Sequence, residues 1–136
     1  MTKSTTATTA KLEHVNITVS NPQRSAALMH HLFGWHIRWE GPSMLDGHTI
    51  HVGNEDQYIA LYSNEDVKAA NDGTGPAFQK SQPLNHVAMI VDDLDGVEEK
   101  VIAAGLETFG HADYAPGRRF YFFDWNGIEF EVVSYW

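Results

Sequence analysis

The sequence predicts an α+β fold in which two βαβββ modules form a cupped mixed sheet with helices on its outer face. In each half of the chain, an alternating apolar stretch is followed by a capped amphipathic helix and three short strand-like stretches. The two halves repeat, because LEHVNITVS and LNHVAMIVD align without gaps and their histidines lie 86 − 14 = 72 positions apart. The total length of 136 residues suits one compact domain built from both halves.

The first module is predicted to span residues 12–63. Its opening strand places an apolar row, Val15, Ile17 and Val19, on one face, and His14 on the other, polar face. Such a strand packs against helices on one side and faces a wet cavity on the other. The helix that follows has Asn21 as N-cap, Pro22 at its first position and Gly34 at its end, and strands are predicted at 36–40, 48–53 and 58–63.

The second module, residues 84–136, repeats this plan. His86 takes the place of His14 in a strand over 84–91, and Asp92-Asp93 caps a helix over 94–104. Short strands are predicted at 107–111, 120–124 and 128–134, with a turn at 125–127. We predict a frayed tail at residues 1–11 and a polar linker, rich in Gly and Pro, at 64–83.

The composition excludes several classes of function. A formal net charge of −9 argues against a nucleic-acid partner, since such binding needs clustered lysine and arginine. The absence of cysteine excludes disulfides, a cysteine nucleophile and thiolate metal ligands. No signal peptide or membrane-spanning apolar run is present, so we expect a cytoplasmic protein that does not bind membranes.

Four stretches in order resemble the vicinal oxygen chelate superfamily, which includes glyoxalase I, extradiol dioxygenases, fosfomycin-resistance transferases and bleomycin-resistance proteins. They are LEHVNITVSN, HHLFGW, LNHVAMIVDDLD and FYFFDWNGIEFEVV. The resemblance runs from residue 12 to the last residue. It implies a metal on the concave sheet face, with His14, His86 and Glu131 as its ligands.

The residues are compatible with this ligand set. The two histidines hold equivalent places in the repeat, and strand alternation puts Glu131 on one face with Glu129. Two imidazoles and a carboxylate suit one divalent ion of Fe, Mn, Ni, Co or Zn. The alternative is that all three are ordinary polar-face side chains. Where metal-binding relatives often carry a fourth, glutamate ligand, this sequence has Ala60, which leaves open positions and argues against glyoxalase I chemistry.

Two further residues are candidate catalytic groups. The resemblance places a substrate-contacting tyrosine at Tyr121, whose hydroxyl can donate to an oxyanion. Arg119 shares the parity of Tyr121, so we expect it to reach into the cup and bind a carboxylate or phosphate. The alternatives are a packing role for Tyr121 and a surface ion pair for Arg119.

The resemblance implies a metal-dependent enzyme acting on a small organic substrate that chelates the metal through two oxygens. Lyase or isomerase chemistry and oxygenase chemistry both stay open: Ala60 counts against the first, and the lack of an acid–base histidine near Tyr58 counts against the second. The fosfomycin branch has the same ligands, but no dense cluster of basic residues is present here. The alternative function is metal-free binding of a small molecule, as in the bleomycin-resistance proteins.

The resemblance also implies a homodimer. In some branches each site combines one half from each chain, so that His14 would meet His86 and Glu131 of a second copy. The sequence leaves assembly within one chain equally open.

Overall fold

Two βαβββ modules make up the chain, as predicted. The computed structural model describes residues 12–43, 45–66 and 84–136, so the predicted tail and most of the predicted linker lie outside the described residues. The elements of the first module are β1 (His14–Thr18), α1 (Pro22–Phe33), β2 (His36–Ser43), β3 (Gly47–Gly53) and β4 (Tyr58–Ser63). Those of the second are β5 (Val87–Ile90), α2 (Leu94–Ala103), β6 (Thr108–Tyr114), β7 (Gly117–Phe123) and β8 (Glu129–Tyr135).

Each module folds into a four-stranded mixed sheet of the same topology. The strand orders are β1-β4-β3-β2 and β5-β8-β7-β6. The first strand of each module pairs in parallel with the last, and the other neighbours pair antiparallel. This arrangement places β1, which begins with His14, and β5, which directly follows His86, at the edges of their sheets.

Local capping signals explain both helices. The Asn21 side chain accepts a hydrogen bond from the amide of Arg24, Pro22 begins α1, and Gly34 ends it with φ at 72°. The Asp93 side chain caps α2 by accepting from the amide of Gly96. Both caps agree with the sequence prediction. Among the described helices, none combines the length and the apolar character needed to cross a membrane.

A continuous apolar core lies between the sheets and the helices. The predicted apolar row is confirmed, because Ile17 of β1 and Val19, directly after β1, are buried and Val15 is half-buried. Three phenylalanines of the second sheet, Phe120, Phe122 and Phe130, are almost completely buried. The opposite faces carry polar side chains, including His14 and Tyr58 in the first sheet and Tyr121 and Glu131 in the second. The helices therefore cover one face of each sheet, and the polar faces stay available for a site.

The predicted strand ends differ from the observed ones in both sheets. β2 continues to Ser43, through Gly41 and Pro42, whereas the prediction ended it at residue 40. Proline is tolerated there because β2 is an edge strand, where an amide facing outward needs no partner. β7 begins three residues earlier than predicted, at Gly117, where a Cβ atom would lie 2.1 Å from the carbonyl oxygen of Ser134.

The β7–β8 turn joins the two modules. Asn126 accepts hydrogen bonds from the amide and hydroxyl of Ser20 through Oδ1, at 2.9 and 3.2 Å, and its Nδ2 contacts the Ser25 hydroxyl at 3.4 Å. The Asp124 carboxylate in turn accepts from the amides of Asn126 and Ile128 and so shapes the turn. Burial raises the pKa of Asp124, and the hydrogen bonds from Ile128 and Asn126 oppose this rise. One asparagine thus holds the second module against the start of α1.

Replacing Asn126 with alanine should therefore lower the free energy of unfolding by about 1 to 3 kcal/mol, because it leaves partly buried polar groups of the first module without partners. Urea denaturation followed by far-ultraviolet circular dichroism measures this change. Glu55→Ala, in the exposed turn between β3 and β4, is the control and should alter stability by less than about 0.5 kcal/mol. Equal stability of the two variants would contradict a joining role for Asn126.

Candidate functional site

The predicted site residues form two clusters, one on the polar face of each sheet. His86, directly before β5, lies with Glu131 of β8 and with Tyr121 and Arg119 of β7. His14, the first residue of β1, lies in the other cluster. The geometry of each cluster follows from the strand pairing of its own sheet.

His86 and Glu131 converge. His86 Nε2 lies 3.1 Å from Glu131 Oε1. The pairing of β5 with β8 explains this distance, since Ala88 is opposite Glu131 and His86 comes two residues earlier on the same face. The Glu131 residue is only 8% exposed, although it carries an acidic side chain. A buried carboxylate needs cationic or hydrogen-bonding partners, and His86 is one of them.

Arg119 is the second partner of Glu131. Its Nη1 donates to Glu131 Oε2 at 3.2 Å, and its guanidinium lies 5.1 Å from the centre of the Tyr114 ring. The side chains of this ion pair are 17% and 10% exposed, so the pair is mostly buried. Arg119 does reach into the predicted face. In this structure it contacts the candidate ligand Glu131, and its predicted binding of a substrate anion stays a prediction.

Tyr121 lies beside both His86 and Glu131. It lies opposite Glu131 in the β7–β8 pairing, and its ring meets the His86 ring edge-on, with centres 5.8 Å apart. The Phe109 ring stacks on it. Burial raises the pKa of the Tyr121 phenol, and the negative charge of Glu131 raises it further. The hydroxyl therefore stays protonated around neutral pH and can act as a hydrogen-bond donor.

The first-module cluster is a wall of stacked rings. His14 is paired with Tyr58 across β1 and β4, and their rings stack with centres 4.8 Å apart. Tyr58 also stacks on His51, which in turn contacts Trp39. Burial is the main cause that lowers the pKa of His51. Ala60, which is paired with His51 in this wall, has a methyl side chain that cannot ligate a metal ion.

Glu13 fixes one side of His14. Its Oε1 lies 2.8 Å from His14 Nδ1 and accepts a hydrogen bond from the Tyr58 hydroxyl at 3.0 Å. The hydrogen bond from His14, followed by that from Tyr58, lowers the pKa of Glu13. In the second cluster, Asn85 Oδ1 lies 2.7 Å from His86 Nδ1. Neither Glu13 nor Asn85 was predicted as a site residue, although both directly precede the repeat-equivalent histidines.

The two clusters do not join within one chain. Across residues 12–43, 45–66 and 84–136, no three His, Asp or Glu side chains lie close enough together to hold a metal ion. A cavity of about 440 Å³ separates β1 from β5 and is lined by His14 on one side and Ala88 on the other. His86 and Glu131 thus supply an imidazole nitrogen and a carboxylate oxygen suited to a divalent ion, while the meeting of His14 with them stays a prediction for the assembled protein.

Comparisons with known proteins agree with this architecture. The family model described as the glyoxalase/bleomycin resistance protein/dioxygenase superfamily matches residues 11–132. A search of curated proteins finds no match. Among solved structures, a glyoxylase/bleomycin resistance protein/dioxygenase domain from Frankia sp. EAN1pec is 21% identical, with a TM-score of 0.74 over 95% of this chain and 100% of that one.

Two fosfomycin-resistance proteins have the same fold. FosX from Listeria monocytogenes, crystallised with Mn(II) and sulfate, is 18% identical, with a TM-score of 0.67 over 93% of each chain. FosX from Mesorhizobium loti is 20% identical, with a TM-score of 0.68 over 93% of this chain and 92% of that one. At these identities the likeness concerns the fold alone.

Proposed function

The chain belongs to the glyoxalase/bleomycin resistance protein/dioxygenase superfamily, and we propose that it is a metal-dependent enzyme acting on a small organic substrate that chelates the metal through two neighbouring oxygens. The observation that carries this proposal is the approach of His86 Nε2 to Glu131 Oε1, at 3.1 Å, on the polar face of the second sheet. His14, at the equivalent place in the repeat, is the third proposed ligand.

The proposed third ligand comes from a second copy of the chain. The two candidate clusters are separate in one chain, and large apolar side chains stand exposed on the outer strands, including Ile37, Trp39 and Tyr114. A homodimer can cover such side chains and bring His14 of one protomer to His86 and Glu131 of the other. Each dimer would then hold two sites.

The chain's own residues have distinct proposed roles. A bound divalent ion supplies Lewis acidity, which lowers the energy of an enolate, alkoxide or similar anion of the substrate. Tyr121 keeps its proton and donates a hydrogen bond to that anion. Arg119 holds the Glu131 carboxylate through Oε2 and adds positive charge beside the site. The aromatic wall of Trp39, His51 and Tyr58 excludes water on the opposite side.

Metal analysis tests this proposal. Protein made without a histidine tag and loaded with Mn(II), the ion present in the Listeria relative, should retain about one metal per chain after desalting. His86→Ala should retain less than about a tenth of that amount. His48→Ala is the matched control, because His48 pairs with Glu40 on the exposed part of the first sheet and should not alter binding. The proposal fails if His86→Ala binds as much metal as the control.

A metal-free binding protein is the second candidate function. It is favoured by one observation: both oxygens of Glu131 already have partners, His86 and Arg119, so this carboxylate is satisfied without a metal. The exposed ring of Trp39 and the acidic net charge suit an aromatic cation as ligand. Two results together would support this candidate. Wild-type protein should retain no Mn(II), Fe(II), Ni(II), Co(II) or Zn(II), and ethidium should bind and quench the tryptophan fluorescence of wild type but not the remaining tryptophan fluorescence of Trp39→Phe.

A further inference from the structure

We propose that Glu13 and Asn85 are positioning residues, each holding the Nδ1 atom of the histidine that follows it so that Nε2 is presented to the site. The inference rests on the proposed metal-dependent function. Its geometric basis is a matched pair of contacts, 2.8 Å from Glu13 Oε1 to His14 Nδ1 and 2.7 Å from Asn85 Oδ1 to His86 Nδ1. The pairs occupy the same two places in the repeat, 85 − 13 = 86 − 14 = 72 positions apart.

Each contact makes Nδ1 of the ring a hydrogen-bond donor. An ionised carboxylate only accepts hydrogen bonds, so His14 Nδ1 must donate to Glu13, and Nε2 of the neutral ring keeps its lone pair. The Asn85 amide oxygen likewise accepts from His86 Nδ1, and this directs His86 Nε2 the opposite way, towards Glu131 Oε1 at 3.1 Å. In the metal-free protein His86 Nε2 donates to that carboxylate, and a bound ion would take the place of this proton. Both histidines thereby present Nε2 to the site.

The position of these partners in the chain makes the contact possible. Along a regular strand, neighbouring side chains point to opposite faces, so a residue directly before a histidine would normally face away from it. Here β1 begins at His14 and β5 begins at Val87, so Glu13 and Asn85 precede the paired region and their side chains can reach round to the rings. Tyr58 holds Glu13 in place by donating a hydrogen bond to the same oxygen.

Partners of this kind orient the ring and increase the basicity of the free nitrogen, and their loss typically weakens metal binding about 10- to 100-fold. We therefore expect Glu13→Leu to weaken Mn(II) binding by a factor in that range, about 10- to 100-fold, and Glu13→Gln, which keeps an oxygen acceptor, to restore most of the affinity. Asn85→Leu should have a smaller effect, because Glu129 Oε2 lies 3.8 Å from His86 Nδ1 and can replace the lost acceptor.

The decisive experiment reads the tautomers of the metal-free protein by long-range ¹H–¹⁵N correlation spectroscopy of the histidine rings. Wild type and Glu13→Gln should show His14 with its proton on Nδ1, whereas Glu13→Leu should show a shift towards Nε2–H. Glu40→Leu is the matched control: it removes a carboxylate that contacts a different histidine of the same sheet, His48, at 3.2 Å, and it should leave the His14 tautomer unchanged. Titration of the same four proteins with Mn(II) gives the affinities.

The outcomes separate this inference from the proposed function. An unchanged tautomer in Glu13→Leu, or an equal loss of affinity in Glu13→Gln and Glu13→Leu, overturns the positioning role. If wild type shows the Nδ1–H tautomer but binds no metal, the proposed function fails, and the claim that Nε2 is presented to a metal fails with it. A tautomer shift together with weaker Mn(II) binding in Glu13→Leu alone supports both.

Discussion

A heterodimer that combines a His14→Ala protomer with a Glu131→Ala protomer is expected to bind about one Mn(II), whereas the homodimers of either variant bind almost none. The reason is the separation of the ligands between modules. If each site takes His14 from one protomer and His86 with Glu131 from the other, the mixed dimer contains one site with both defects and one intact site.

Coexpression of the two variants with different affinity tags, neither containing histidine, allows the heterodimer to be purified through two columns. Its metal content should be roughly half that of wild type per chain, which corresponds to one occupied site of two. A heterodimer without metal would mean that each site is assembled within one chain. Failure to recover any heterodimer, together with a monomeric mass for wild type, would exclude the proposed assembly altogether.

Local signals allowed the elements to be predicted. Asn21, Pro22 and Gly34 are adjacent to the helix that they begin or end, so α1 could be placed without knowledge of the rest of the fold. The end of β2 could not, because Pro42 is compatible with a strand only at the edge of a sheet. Edge position depends on strand order, which is a property of the folded module.

The site was predictable to the extent that it depends on alternation. Strand parity placed Glu131 on a polar face, the repeat placed His86 at the position of His14, and the resemblance implied that they share a site; the structure brings His86 and Glu131 together. The contact of Arg119 with Glu131 also depends on the register of β7 and β8, in which Tyr121 is opposite Glu131. Glu13 was missed for a physical reason: parity directs it away from His14, and it reaches the ring only because β1 begins at that histidine.

Arg119→Met is expected to lower the free energy of unfolding of the metal-free protein by about 3 kcal/mol, because it leaves the buried Glu131 carboxylate without its guanidinium partner. His86 remains beside Glu131, so the expected loss is at the lower end of the range for a broken buried ion pair. Urea denaturation in the presence of a chelator measures the change.

The neighbouring arginine provides the control. Arg118 pairs with Asp95 at 2.8 Å, but both side chains are exposed to solvent, so Arg118→Met should reduce stability far less than Arg119→Met does. Adding Glu131→Gln to Arg119→Met should recover part of the lost stability, because the unpaired buried charge is then removed. If the stability loss of the double variant equals the sum of the losses in Arg119→Met and in Glu131→Gln, Arg119 stabilises the protein by packing alone.

Arg119→Met also connects the stability of the fold with the proposed metal site. A ligand that binds only the folded state raises stability according to its concentration relative to its dissociation constant. Arg119 and a divalent ion would both neutralise Glu131, so removing the arginine should strengthen the dependence of the fold on the ion. Saturating Mn(II) should therefore increase the unfolding free energy of Arg119→Met more than that of wild type. An equal increase in both proteins would mean that the ion pair and the metal do not share the Glu131 carboxylate.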